Sequence, residues 1–114
     1  MESPAPIAWS DFEKVDIRAG IVTEARPFPE ARRPAYRLWI DFGPLGVKRA
    51  SAQITRHYTL ETLVGRSVIA VVNFPPKQIG SFVSEVLVLG VYDEAGDVVL
   101  LEPERSVRPG QRIG

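Results

Sequence analysis

One histidine, no cysteine and no recognisable nucleophile motif leave this 114-residue chain little from which to build a reactive centre. The absence of Cys excludes disulfides, thiolate catalysis and Cys-ligated metal. A single His excludes a multi-His metal site. His57 lies among Arg56, Tyr58 and Thr59 and reads as a surface or cap-adjacent side chain. No G-x-x-x-x-G-K-[ST], G-x-G-x-x-G or G-x-S-x-G occurs, so phosphate loops, dinucleotide turns and nucleophile elbows have no signature. Asp11, Asp16 and Asp41 lack metal-ligand spacing, and nothing marks a carboxylate pair for acid–base work. The reading is a non-enzyme with no metal and no cofactor.

Binding is better supported than catalysis. Lys plus Arg and Asp plus Glu are 14 each, so no global field draws the chain to nucleic acid or an anionic membrane. The zero sum hides an asymmetry. Residues 24–58 hold Arg26, Arg32, Arg33, Arg37, Lys48, Arg49 and Arg56 against only Glu24, Glu30 and Asp41, a net of +4. Arg-rich surfaces favour bidentate contacts to phosphate or carboxylate; a solvated surface is the plain alternative. Aromatic residues are interleaved with these cations. Tyr36-Arg37-Leu38-Trp39 sets Arg37 and Trp39 on one face of an alternating strand. An outward Trp beside Arg suits base stacking or a partner contact, unless a terminal extension covers it. Phe74-Pro75-Pro76-Lys77-Gln78 and Gly80-Ser81-Phe82 join apolar and basic groups on one loop. Exposed, Phe74 and Phe82 make an adhesive patch; alternatively one of them caps the barrel end.

These groups need a scaffold, and the hydrophobic pattern indicates one. At 12.6 kDa and 45% hydrophobic residues there is room for one core and one domain. Residues 1–10, with Pro4 and Pro6, read as an N-terminal tail and 11–114 as a single domain. Ser10 to Glu13 has a capping-box pattern. Val15 to Val22 alternates like a strand, and Gly20 within it suggests a bulge or bend. A proline-marked loop covers 26–35. Tyr36, Leu38, Ile40 and Phe42 form the apolar face of a second strand, and Gly43-Pro44-Leu45-Gly46 a turn into a third, Val47–Ile54. Thr59 is placed to cap a short helix with Leu60, Leu63 and Val64 inward and Gly65 as its stop. Residues 67–74 and 85–92 read as strands buried on both faces, with a loop over 77–84 between them. A turn at 93–96 leads to a short strand, 98–101. Val107 and Ile113 are placed to dock back on the body. The order gives an all-β protein: a five-stranded OB-fold barrel with a short helix between strands 3 and 4 and small extensions at both ends. No run nears the roughly 20 apolar residues of a membrane helix, and the acidic, Pro-rich start lacks signal-peptide features. A cytoplasmic location without membrane insertion is expected.

The opening Asp11-Phe12-Glu13-Lys14-Val15-Asp16-Ile17-Arg18-Ala19-Gly20 resembles the D-F-x-K-V-D-I-R-x-G of the tRNA-binding OB domains. These stand free as dimers or are appended to methionyl- and tyrosyl-tRNA synthetases. Pro29-Glu30-Ala31, Leu63-Val64-Gly65-Arg66-Ser67-Val68 and Asn73-Phe74-Pro75-Pro76-Lys77 match later blocks, so the resemblance covers nearly the whole chain. Ser51-Ala52-Gln53-Ile54-Thr55, the run Val71–Ile79 and Ser84–Gly90 are similar to the family's branch of small export-related chaperones. That branch implies a homodimer that binds unfolded precursor proteins and cooperates with the Sec export motor, with retained tRNA binding as the alternative function. In the tRNA-binding members a Gly follows the first of two serines, and Gly-Met lies beyond the second. Here those places read Ser51-Ala52 and Ser84-Glu85-Val86-Leu87. Under the chaperone reading, Phe28, Ile54, Phe74 and Phe82 surround the peptide-binding pockets. Under the RNA reading, Arg32, Arg33, Arg37, Lys48, Arg49, Arg56 and Lys77 meet phosphates, with Ser51 and Ser84 on the binding face.

Overall fold

A computed structural model describes residues 3–114; the first two residues of the expected 1–10 tail lie outside the described residues. Helix α1 (Trp9–Glu13) takes up the end of that tail. Its cap is not the expected Ser10–Glu13 box: the Asp11 carboxylate accepts the Ala8 N–H at 3.0 Å. The carboxylate satisfies an orphan donor and suits the positive end of the helix. There follow β1 (Ile17–Pro27), β2 (Tyr36–Asp41), a 3-10 turn (Gly43–Leu45), β3 (Val47–Ala52) and α2 (Leu60–Leu63). The chain continues as β4 (Ser67–Val71), β5 (Lys77–Ile79), β6 (Phe82–Ser84), β7 (Leu87–Val88), β8 (Gly90–Tyr92) and β9 (Val98–Leu100).

Five antiparallel strands in the order β3-β2-β1-β4-β7 curl into a nearly closed OB-like barrel. The remaining gap is bridged at Glu85. Its N–H donates to the Arg49 carbonyl at 2.7 Å, and its carboxylate accepts the Arg49 N–H at 3.0 Å. The alternation expected of β2 holds: Leu38, Ile40 and Phe42 are fully buried. They pack with Val22, Ala50, Ile54, Leu63, Val68 and Val86. Thr59 caps α2 by accepting the Thr62 N–H at 3.3 Å, and Gly65 stops it at φ 89°. Leu63 points inward, but Val64 is exposed, because the chain turns extended at that residue and swings it off the apolar face.

Three further local expectations are corrected. Gly20 is not the bulge; the register shifts between Val22 and Glu24. Gly20 lies on the inner face, where a Cβ would sit 2.7 Å from Ile40 Cγ2 and Phe42 Cε1. The 77–84 loop is a β-hairpin pairing β5 with β6 around Gly80, which turns at φ 57°. Residues 85–92 are not one buried strand: β7 pairs with β4, while β8 leaves the barrel to pair with β9. Leu87, Val91 and Tyr92 are consequently exposed.

The extensions close the seam. Gly110 N–H donates to Ala19 O at 2.7 Å, Ala19 N–H to Gln111 O at 2.9 Å, and Ile113 N–H to Ile17 O at 2.8 Å. The motif residues of the opening block serve this seam. Arg18 binds Asp16 at 2.7 Å and donates to Gly110 O at 3.0 Å. Asn73 accepts the Asp16 N–H at 2.9 Å and donates to Lys14 O at 2.7 Å, fixing the exit from α1.

Candidate functional site

A groove runs across the end of β3, flanked by the β1–β2 loop, the β5–β6 hairpin and the β8–β9 hairpin. It has two lobes, of about 710 and 530 Å³, that share Arg33, Ser51 and Gln53. In OB folds this face and these loops commonly hold oligonucleotides and other polymers.

The smaller lobe is cationic. Arg32, Arg33 and Lys77 line it with Gln53, Gln78 and Glu30. Among the described residues, none of these three cations has a carboxylate within 4.0 Å. The larger lobe is walled in part by the apolar side chains of Ile54, Leu87, Val88 and Val98, and Tyr92 also lines it. Arg56 and Asp97 face each other on its rim at 3.7 Å.

The structure divides the candidate cations. Arg32, Arg33, Arg56 and Lys77 line the groove. Arg37 is engaged elsewhere, donating to Pro27 O at 3.0 Å and lying 5.6 Å over the Phe28 ring. Arg49 pairs with Glu85 at 3.3 Å and covers Phe82 at 5.7 Å. Glu85 therefore matches a cation and closes the barrel instead of projecting bare charge. Lys48 shares its strand face with Ala50 and Ala52, the side opposite Ser51. The two serines do meet: Ser84 Oγ accepts the Ser51 N–H at 3.1 Å.

The four expected peptide-contact residues also separate. Ile54 belongs to the barrel core and forms a groove wall. Phe28 and Phe82 are buried against each other, centroids 5.4 Å apart, with Trp39 5.8 Å from Phe82. Trp39 is thus outside the barrel, as its parity requires. The β5–β6 hairpin and the β1–β2 loop cover it in place of a terminal extension, with Arg26 5.4 Å over its ring. This cluster holds the two loops that flank the cationic lobe. Phe74 is 52% exposed and lines neither lobe, because the Pro75-Pro76 pair carries the chain away from it. Sequence reasoning missed Gln53, Gln78, Leu87 and Tyr92. Their only signal was adjacency to turns and to Ser51.

His57 is exposed but not idle. Its Nε2 lies 2.7 Å from Asp93 Oδ2, tying the segment before α2 to the β8–β9 turn. Asp93 Oδ1 accepts the Ala95 and Asp97 N–H groups at 3.0 and 2.9 Å. His57, then the Asp97 amide, holds the Asp93 carboxyl below its ordinary range. A carboxylate with a depressed folded pKa contributes stability that is present above the unfolded value, about pH 4. That stability is lost as pH falls through the folded value. Asp93→Asn should therefore lower the urea midpoint at pH 5, and the gap to wild type should be smaller at about pH 3. An equal gap at both pH values would show that ionisation of Asp93 contributes nothing.

Comparison with known proteins follows this geometry. The tRNA-binding domain family model matches residues 17–112. A methionine–tRNA ligase of Porphyromonas gingivalis is 36% identical over 107 residues, covering 94% of this chain but 15% of the ligase. The chain thus spans about a sixth of the length of such curated relatives. The crystal structure of chaperone CsaA from Bacillus anthracis is 55% identical, with TM-score 0.91, covering 96% of this chain and 100% of that one. The CsaA chaperone protein of Picrophilus torridus is 51% identical, with TM-score 0.90 and the same coverage.

Proposed function

This chain belongs to the tRNA-binding domain family, and on that premise we propose that it is a non-catalytic binding module of the CsaA chaperone type. Its groove takes extended segments of unfolded precursor proteins. The observation that carries this is the likeness to the two chaperone structures along almost the whole chain, at 55% and 51% identity. The groove supports it physically. The Ile54–Leu87–Val88–Val98 lobe accommodates apolar side chains, and Arg32, Arg33 and Lys77 donate to carboxylates or backbone carbonyls. Phe28 and Phe82 act by holding the flanking loops, and Phe74 offers a separate exposed contact.

Cooperation with the Sec export motor, a cytoplasmic location and homodimerisation are parts of the same proposal. The exposed Val91, Val99 and Leu101, which line neither lobe, fit a surface that a second subunit covers. Among the described residues no helix is long and apolar enough to cross a membrane.

The test is suppression of aggregation of a chemically denatured precursor diluted into buffer. The wild-type protein should suppress light scattering at near-stoichiometric ratio. Leu87→Asp, altering an exposed wall of the apolar lobe, should lose most of that effect. Equal suppression by the variant, or none by wild type, would refute the assignment.

A second reading has its own observation. The three groove cations without carboxylate partners, together with the family match, favour tRNA as a further ligand of the same groove. Cation–phosphate contacts of this kind make binding fall steeply with salt.

A further inference from the structure

The larger lobe contains an aromatic ring that no packing demand explains. Tyr92 is 78% exposed, the most exposed of the large hydrophobic residues described. Its hydroxyl makes no hydrogen bond among those found in the described residues, unlike Tyr36 and Tyr58, whose hydroxyls bond to Tyr58 O and the Leu100 N–H. Exposing a ring of this size normally loses the burial that an inward position would supply.

The backbone beneath it is nonetheless fixed. Tyr92 pairs with Val98 in the β8–β9 ladder, and the next residue, Asp93, locks the turn through Ala95 and Asp97 and is tied to His57. The residue is therefore carried by a hydrogen-bonded hairpin beside the lobe that also presents Arg33 and Arg56. Asp97 offsets Arg56 at 3.7 Å, which leaves Arg33 as the unmatched positive charge, continuous with Lys77 in the neighbouring lobe.

A flat aromatic face beside a cation-lined channel is the arrangement that holds single-stranded nucleic acid. Bases stack on the ring while the backbone follows the cations. A peptide side chain would use the concave apolar wall instead, and needs no ring at the rim. We propose that Tyr92 is a stacking platform for one unpaired base, with the adjoining phosphates running toward Arg33 and Lys77. The RNA in this groove is then single-stranded at that point. The inference rests on the tRNA reading of the groove and adds to it a nucleotide subsite.

The test uses an unstructured oligoribonucleotide of about 12 nucleotides carrying 2-aminopurine, and a blunt RNA duplex of similar charge, each titrated at low salt. Stacking quenches 2-aminopurine emission. Wild type and Tyr92→Phe should quench it. Tyr92→Ala should not, and its affinity for the single strand should fall about tenfold or more. Duplex affinity should be the same for all three. Tyr92 is exposed, so circular dichroism melts of the variants should coincide with wild type. Undiminished quenching and affinity in Tyr92→Ala would overturn the proposal while leaving the groove reading intact. So would loss of unfolded-client binding alone in that variant, which would assign the ring to protein. Absence of binding of either RNA, and of tRNA, by wild type would overturn the groove reading and this proposal together. Weaker binding in Arg33→Ala with unchanged quenching in Tyr92→Ala would separate the two.

Discussion

Reversing charge at both Arg33 and Lys77 should cost about 100-fold or more in tRNA affinity at low salt, the largest functional effect expected of any pair in this chain. Both side chains line the cationic lobe, and among the described residues neither has a carboxylate within 4.0 Å to compensate it. A hydrogen bond to a charged group is worth roughly 1.5–3 kcal/mol, and two such losses with added repulsion give that factor. The salt slope should also shrink by about one unit per phosphate contact removed. Arg37→Glu and Arg49→Glu are the informative controls. Each lies within the basic 24–58 segment, but Arg37 is held by Pro27 O and Phe28, and Arg49 by Glu85 and Phe82. Those variants should lose stability more than specific affinity. Fluorescence anisotropy of labelled tRNA at two salt concentrations, beside urea melts, separates the cases. If Arg33→Glu with Lys77→Glu binds as wild type does, the groove is not where RNA sits.

The second large effect concerns the barrel interior. Phe42→Ala should destabilise the protein by about 3–5 kcal/mol, because a fully buried ring is replaced by a cavity. Gly20→Ala should cost about 1–3 kcal/mol for the opposite reason. Its Cβ would lie 2.7 Å from both Ile40 Cγ2 and Phe42 Cε1, side chains packed on all sides in the barrel core. The two changes should not add. With the ring gone, one of the two obstacles to the new methyl is removed and part of the cavity is filled. The double variant should then be more stable than the sum predicts by about 1 kcal/mol or more. Urea denaturation of the four proteins gives the coupling directly. Strict additivity would mean that Gly20 and Phe42 do not meet.

The seam at the chain ends shows why the family's opening block is so legible. Asp16 and Arg18 bind each other, Arg18 reaches Gly110 O, and Asn73 clamps Lys14 O and the Asp16 N–H. The motif that identified the fold therefore docks the chain ends on β1, while the groove is built on β3 and its neighbouring loops. A resemblance carried by such residues speaks strongly for architecture and only indirectly for ligand.

Local pattern was enough for the elements whose identity is local. Alternation placed Leu38, Ile40 and Phe42 on the inner face of β2. Thr59 and Gly65 bounded α2, and Gly43 and Gly46 turned β2 into β3, because a cap, a positive φ and a period of two are written within a few residues. The all-β strand order and the Arg-rich 24–58 segment were legible for the same reason, whereas the serines at 51 and 84 stood out only through the family resemblance. What the sequence could not decide is where outward-facing groups go once strands pair across long separations. Phe28 and Phe82, 54 positions apart, look like an adhesive surface one at a time and become an interior only when the β5–β6 hairpin folds over Trp39. Arg37 and Arg49 share the composition of Arg32 and Arg33 but find partners in Pro27 O and Glu85. The apolar run at 85–92 looked buried because hydrophobicity records only an appetite for contact. The split into β7 and β8 sends Tyr92 to the rim of the groove. Periodicity is a property of neighbours along the chain and survives in sequence. Burial, charge pairing and the convergence of three loops on one groove are properties of long-range register, and only the folded barrel supplies them.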